Sequence, residues 1–149
     1  MFIRSVEKFN SNAALIGSDA SLVSYRQLLK LASNVARKLP TRKLVFLVCS
    51  TDIDSIVAYT SLIMTNAVVV LLDVGITDQQ LTALASRYEP EYIFLPRARL
   101  LSDISKESIA DLRAYCLTRT VYENKCDFHD DLFLLLSTSG TTGNPKMVR

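Results

Sequence analysis

The chain predicts an α/β fold with a mainly parallel sheet flanked by helices, and three observations carry that expectation. Unbroken apolar runs, Leu44 to Cys49 and Ala67 to Leu72 among them, suit strands covered on both faces. Between them lie stretches whose apolar residues recur at helical spacing, several opened by capping signals and closed by proline or asparagine. The connections are short, so the succession strand, helix, strand, helix, strand calls for right-handed crossovers. At 149 residues the chain is long enough for a sizeable core and reads as a single α/β unit over residues 1–149.

Residues 1–12 are mixed and read as an edge or a loosely docked start. Ala13 to Ile16 and Leu22 to Val23 flank Gly17-Ser18-Asp19-Ala20, which suits a small hairpin. Ser24, with Gln27 three positions on, forms a capping box and opens a helix. That helix presents Leu28, Leu31, Ala32, Val35, Ala36 and Leu39 to the core and stops at Pro40. After the Leu44–Cys49 strand, Thr51 and Asp54 give a weaker helix start. Ile53, Ile56, Val57, Leu62 and Ile63 form the buried face of that helix, and Asn66 suits a left-handed end. Thr77 and Gln80 repeat the capping box ahead of Leu81, Leu84, Ala85 and Tyr88. Tyr92 to Leu95 is a short strand between Pro90 and Pro96. Beyond it the pattern weakens: Ser105 to Tyr115 has some helical spacing through Ile109, Leu112 and Tyr115, and Leu117 to Tyr122 suits a strand of modest quality. Leu132 to Leu136 is again a run for a strand buried on both faces.

Composition removes several classes of function. Net charge is +2, too small for a nucleic-acid or anionic-membrane surface, and no aromatic-basic stripe runs through the chain. Cys49, Cys116 and Cys126 are odd in number and lack metal-ligand spacing, which fits reduced cysteines of a cytoplasmic protein. The N-terminus has no apolar core of a signal peptide. The apolar region from Ile53 to Leu72 is interrupted by Asp54, Ser55, Thr60, Ser61, Thr65 and Asn66, so a helix and a strand explain it better than a membrane span. His129 lies beside Asp127, Asp130 and Asp131 in what reads as a solvated turn. Those aspartates lack the glycine and glutamate of a calcium loop.

One stretch carries chemistry. The Leu132–Leu136 run breaks into Ser137-Thr138-Ser139-Gly140-Thr141-Thr142-Gly143-Asn144-Pro145-Lys146. Glycines let backbone N–H groups point inward, hydroxyls donate further hydrogen bonds, and lysine brings a mobile positive charge, all of which suit phosphate. The loop, residues 137–146, follows the carboxyl end of a strand, where ligands bind in such sheets. Its spacing is not that of the Walker loop, because two residues separate Gly140 from Gly143 and Asn-Pro precedes Lys146. A stand-alone P-loop hydrolase is therefore a weak reading.

Thr138 to Lys146 closely resembles the phosphate loop of the adenylate-forming enzymes, Ser/Thr-Ser-Gly-Thr-Thr-Gly-x-Pro-Lys. That family includes acyl-CoA synthetases, peptide-synthetase adenylation domains and luciferases. Ser24-Tyr25-Arg26-Gln27-Leu28, with Ala32 to Ala36 after it, is similar to the family's early helix. Met64 to Asp73 is similar to its Ala-Gly-Ala-x-x-x-Pro-Leu-Asp segment, with Asn66 in place of the glycine and Leu71 in place of the proline. The likeness covers about residues 20–95 and 127–149; residues 97–126 do not match. Ser137 stands where many members carry an aromatic residue, and Met147 where many carry glycine.

The resemblance implies the N-terminal portion of the large domain of an ATP-dependent, carboxylic acid-activating ligase. Such an enzyme forms acyl-AMP and pyrophosphate, then in many members a thioester with CoA or a carrier protein. It further implies that Thr138 lies near Mg2+, that Ser139, Gly140, Thr141, Thr142 and Gly143 wrap the ATP phosphates, and that Asn144 and Pro145 lead to Lys146, which neutralises charge. The adenine, ribose and second metal contacts of the family lie downstream of this loop, as does most of the acyl pocket. The 149 residues alone are accordingly expected to be inactive and to bind ATP and Mg2+ poorly. Self-association through exposed surface is a further expectation. The competing reading is a complete, non-catalytic binding module that keeps half of the fold.

Overall fold

The computed structural model describes residues 6–99, 101–124, 126–138 and 146–148. A short hairpin pairs β1 (Ala13–Ile16) with β2 (Leu22–Ser24), antiparallel. The main sheet contains β3 (Leu44–Cys49), β4 (Val68–Asp73), β5 (Tyr92–Pro96), β6 (Ser105–Asp111), β7 (Tyr115–Thr120), β8 (Leu134–Thr138) and β9 (Lys146–Val148). Its order is β6-β7-β5-β3-β4-β8-β9. β5, β3, β4 and β8 run parallel, while β7, β6 and β9 are added antiparallel at the two flanks.

Helix starts follow the capping chemistry. Ser24 opens α1 (Tyr25–Ala36), accepting from the Gln27 N–H at 3.3 Å while Gln27 Oε1 accepts from the Ser24 N–H at 2.8 Å. Thr77 and Gln80 do the same for α3 (Asp78–Tyr88), at 3.2 and 3.0 Å. α2 (Ile53–Met64) is capped by Asp52, one residue after the expected Thr51, because its carboxylate accepts the Ser55 N–H at 2.7 Å. Asn66 ends that helical stretch in the left-handed region, φ 51°.

The chain passes from β3 to β4 on one side of β3, then back to β5 on its other side. Right-handed crossovers that reverse direction must use opposite faces of the sheet. α2, with α1 packed against it, therefore covers one face, and α3 covers the other. The first face buries Val45, Leu47, Val69, Phe94 and Leu117 with Ala58 and Leu62 of α2. The second buries Phe46, Val48, Val70, Leu72 and Ile93 with Leu81, Leu84 and Ala85 of α3. Each fully covered side chain of this size contributes about 2 kcal/mol.

Several expectations change. Ser105 to Tyr115 is not helical: Ser105–Asp111 is strand β6, paired with β7. β7 begins two residues before the expected Leu117. Leu31 and Ile56, assigned to buried faces, are 41% and 37% exposed. They flank their helices' buried stripes, which hold Leu28, Ala32 and Val35 in α1 and Val57, Ala58 and Leu62 in α2. Cys49 lies at the end of β3, half-buried, with its thiol on the Leu72 carbonyl at 3.2 Å.

Candidate functional site

β3 leads from its carboxyl end into α2 on one face, and β4 leads into α3 on the other. Adjacent strands whose exits diverge in this way open a crevice between them. Cys49 and Asp73 are the last register pair of β3 and β4, and β8 runs parallel on the far side of β4. The expected phosphate loop therefore leaves the sheet at its carboxyl end, next to the exit of β4.

Ser139 to Pro145 lie outside the described residues. The backbone on either side of them is informative. Thr138 and Lys146 are antiparallel register partners, and Ser137↔Met147 and Leu136↔Val148 continue the ladder. The first and last residues of the motif thus sit opposite one another. The two departures from the resemblance, Ser137 and Met147, are themselves a register pair.

Around this end of the sheet, side chains tie exits down. Ser50 Oγ bonds Asp52 Oδ2 and lies 3.1 Å from Tyr115 Oη, and the Ser50 N–H donates to Ser55 Oγ at 3.3 Å. This links β3, the start of α2 and β7. Asp54 accepts the Ala114 N–H from the turn between β6 and β7. Arg99 closes over the β4–α3 connection: it donates to the Val74 carbonyl at 2.9 Å, to the Ile76 carbonyl and to Asp78 Oδ1 at 2.8 Å. Asp73 holds the Gly75 N–H at 2.7 Å.

None of these groups is poised as a nucleophile. Burial pushes the Cys49 and Cys116 thiols up, and likewise the Tyr115 phenol, so all stay protonated at neutral pH. His129 is exposed in the turn before β8, its Nδ1 accepting the Asp131 N–H at 3.3 Å, as expected for a solvated turn. Among the described residues no cluster of three or more His, Cys, Asp or Glu could hold a metal ion. No helix among them is long and apolar enough to cross a membrane.

A cavity of about 940 Å³ opens at the opposite, amino end of the strands, between Arg42, Tyr59, Asn66, Asp131 and Phe133. A smaller one of about 430 Å³ runs along the flank of β8 from His129 to Leu136. Sequence reasoning gave no role to Arg42, whose guanidinium reaches across the cavity rim to three main-chain carbonyls before β8.

The model of the AMP-binding enzyme family matches residues 2–149. No curated protein sequence matches the chain. Among solved structures, o-succinylbenzoate coenzyme A synthetase (MenE) of Bacillus subtilis, in complex with AMP, superposes with a TM-score of 0.70 at 15% identity. That match covers 99% of this chain and 41% of that one. The N-terminal subdomain of Klebsiella oxytoca NpsA, in complex with 3-hydroxybenzoyl-AMSN, gives 0.69 at 19% identity, covering 98% and 38%. ATP-bound MatB of Rhodopseudomonas palustris gives 0.53 at 22% identity, covering 60% and 19%. At such identities the likeness is one of fold, and the chain spans less than half the length of each.

Proposed function

The chain belongs to the AMP-binding enzyme family, and on that premise we propose that it forms the phosphate-holding part of an ATP-dependent ligase that activates a carboxylic acid. The observation that carries this reading is the pairing of Thr138 with Lys146. It draws the ends of the Ser/Thr/Gly motif together at the carboxyl end of a parallel sheet, beside the exit of β4.

In the reaction proposed, a carboxylate oxygen attacks the α-phosphorus of ATP and the bond from that phosphorus to the β-bridging oxygen breaks. Acyl-AMP and pyrophosphate result. A thiol of CoA or of a carrier protein then attacks the acyl carbon, and AMP leaves. Negative charge accumulates on the departing pyrophosphate, so fixed donors aimed at it lower the barrier. The N–H groups and hydroxyls of Ser139, Gly140, Thr141, Thr142 and Gly143 take that role. Lys146 adds a positive charge, and Asn144-Pro145 stiffens the approach to it. Mg2+, when bound, adds charge across the phosphates. Thr138 would offer it one neutral hydroxyl oxygen, which suits an ion that keeps most of its phosphate and water ligands.

The acid and the acyl acceptor are those of a longer assembly, since solved relatives extend well beyond the span matched here. We expect the 149 residues by themselves to be inactive, and to self-associate through the apolar flank of β8. The three free cysteines fit a reducing, cytoplasmic setting. Pyrophosphate exchange with ATP and a panel of carboxylic acids tests the whole reading. A longer form of the protein should exchange label with at least one acid, and the short chain with none. Exchange by the short chain sinks its inactivity; no exchange by the longer form with any acid sinks the ligase.

A further inference from the structure

β8 has a register problem. Leu132 to Leu136 is apolar at every position, whereas strand register is normally set by one apolar face and one polar face. Sliding β8 by one residue along β4 would still put leucine on both sides of the sheet. Three register pairs join β8 to β4, and three join it to β9. Nothing in that ladder distinguishes the observed pairing of Leu134 with Val69 from its neighbours.

We propose that Arg42 sets this register and is thereby a positioning residue for the phosphate loop. Its Nη1–H donates to the Leu132 carbonyl at 2.9 Å, and its Nη2–H groups to the carbonyls of Phe128 at 2.9 Å and His129 at 2.6 Å. The turn so gripped is closed by the Leu132 N–H on the His129 carbonyl at 2.9 Å. The next residue enters the ladder through the Val69 N–H on the Phe133 carbonyl, also at 2.9 Å. Arg42 is itself fixed immediately before β3. Its backbone is left-handed, φ 58°, and its N–H donates to the Thr65 carbonyl at 3.2 Å. Through its guanidinium and its backbone N–H, Arg42 therefore ties the amino ends of β3, β4 and β8 to one point.

A planar fork of N–H donors suits several carbonyls in fixed places, which an ammonium on a flexible stem does not. A slip of one residue would move the Leu132 carbonyl by about 3.3 Å, out of hydrogen-bond reach. At the other end of β8 the same slip would carry the Thr138 backbone along by one position, and with it the point from which the loop leaves the sheet. The point at which the chain leaves the sheet after Thr138 is thus decided in part at the far end of the strand. The consequence for phosphate rests on the function proposed above; the setting of register does not.

The test uses cross-strand nuclear Overhauser contacts between β4 and β8 in the 149-residue chain, with Arg42→Lys and Arg42→Gln. Both variants should show a second set of contacts, shifted by one residue, in which Val69 meets Phe133 or Leu135 in place of Leu134. Adding Leu136→Thr should remove the shifted set in which Val69 meets Leu135. Leu136 is exposed opposite Leu71 in the observed register, whereas the slip that pairs it with Val70 moves it inward to the place now held by the partly buried Leu135, where a hydroxyl is penalised. Native contacts alone in both single variants would overturn the proposal. If the single variants fail to fold, recovery of a folded, native-register chain by Leu136→Thr supports it, and no recovery overturns it. Titration of a longer, exchange-active form with ATP and Mg2+ separates the two readings. Slipped register in the variants together with unmoved Thr138 and Lys146 amides would leave the register role standing and remove the phosphate assignment.

Discussion

β3 and β8 are nearly the same strand in sequence and quite different ones in the fold. Leu44 to Cys49 and Leu132 to Leu136 are both unbroken apolar runs. β3 meets β4 at six positions and β5 at three, with α2 above it and α3 below, and Val45 to Val48 are wholly buried. β8 is held to β4 at three positions, and Phe133 and Leu136 are 58% and 49% exposed. The centre is fixed by volume, since a misplaced side chain there meets a neighbour on every side. The flank is fixed by hydrogen bonds that reach in from elsewhere. The residues assigned to phosphate hang from the flank.

The contrast can be broken most directly at its two leucines. Leu47→Ala should cost about 3 kcal/mol of unfolding free energy in urea, because it leaves a cavity under α2. Leu136→Ala should cost less than about 1 kcal/mol. Equal losses would mean that β8 is as well packed as β3. Lys146→Ala sharpens the contrast from the other side. In a longer, active form it should slow pyrophosphate exchange by about 100-fold, while the urea midpoint stays put. A large fall in stability with exchange intact would reverse the assignment.

A smaller effect tests the centre alone. Burial raises the Tyr115 phenol and the Cys49 and Cys116 thiols. Each holds its proton more tightly folded than unfolded. Each therefore contributes stability that is complete below its ordinary value and is lost as pH rises through the raised native one. Stability should decline from the thiol range upward. Tyr115→Phe should flatten the upper part of that decline, read as urea midpoints from neutral to strongly alkaline pH. An unchanged alkaline slope would exclude the phenol as a contributor.

Much of the centre is legible in the chain because its signals are local. Capping boxes at Ser24 and Thr77 lie within four residues, and the runs forming β3, β4 and β5 are continuous. β6 reads as helix in the sequence for a physical reason. Its ladder with β7 is irregular between Ser105 and Glu107 and again between Ser108 and Ala110, so the alternation that marks a strand is erased. What remains, Ile109, Leu112 and Tyr115, has helical spacing by coincidence. The turn at Leu112-Arg113-Ala114 also lacks glycine, asparagine or proline. The Ser/Thr/Gly motif is legible from residue types alone, whereas Arg42 is not. Its partners lie 86 to 90 residues further along the chain, and a lone arginine in a short link carries no local signature of such a reach.

The position of β4 has a consequence for how the protein is made. Its partner on one side, β3, and the helix between them are synthesised before it, but its other edge is covered only when residues 134–138 emerge. During that interval Val68 to Leu72, uncharged and without proline, presents an open row of main-chain donors and acceptors. A segment of that kind is a template for pairing between chains. Slow synthesis between β4 and β8 therefore favours aggregation of nascent chains, and early capture of β8 protects against it.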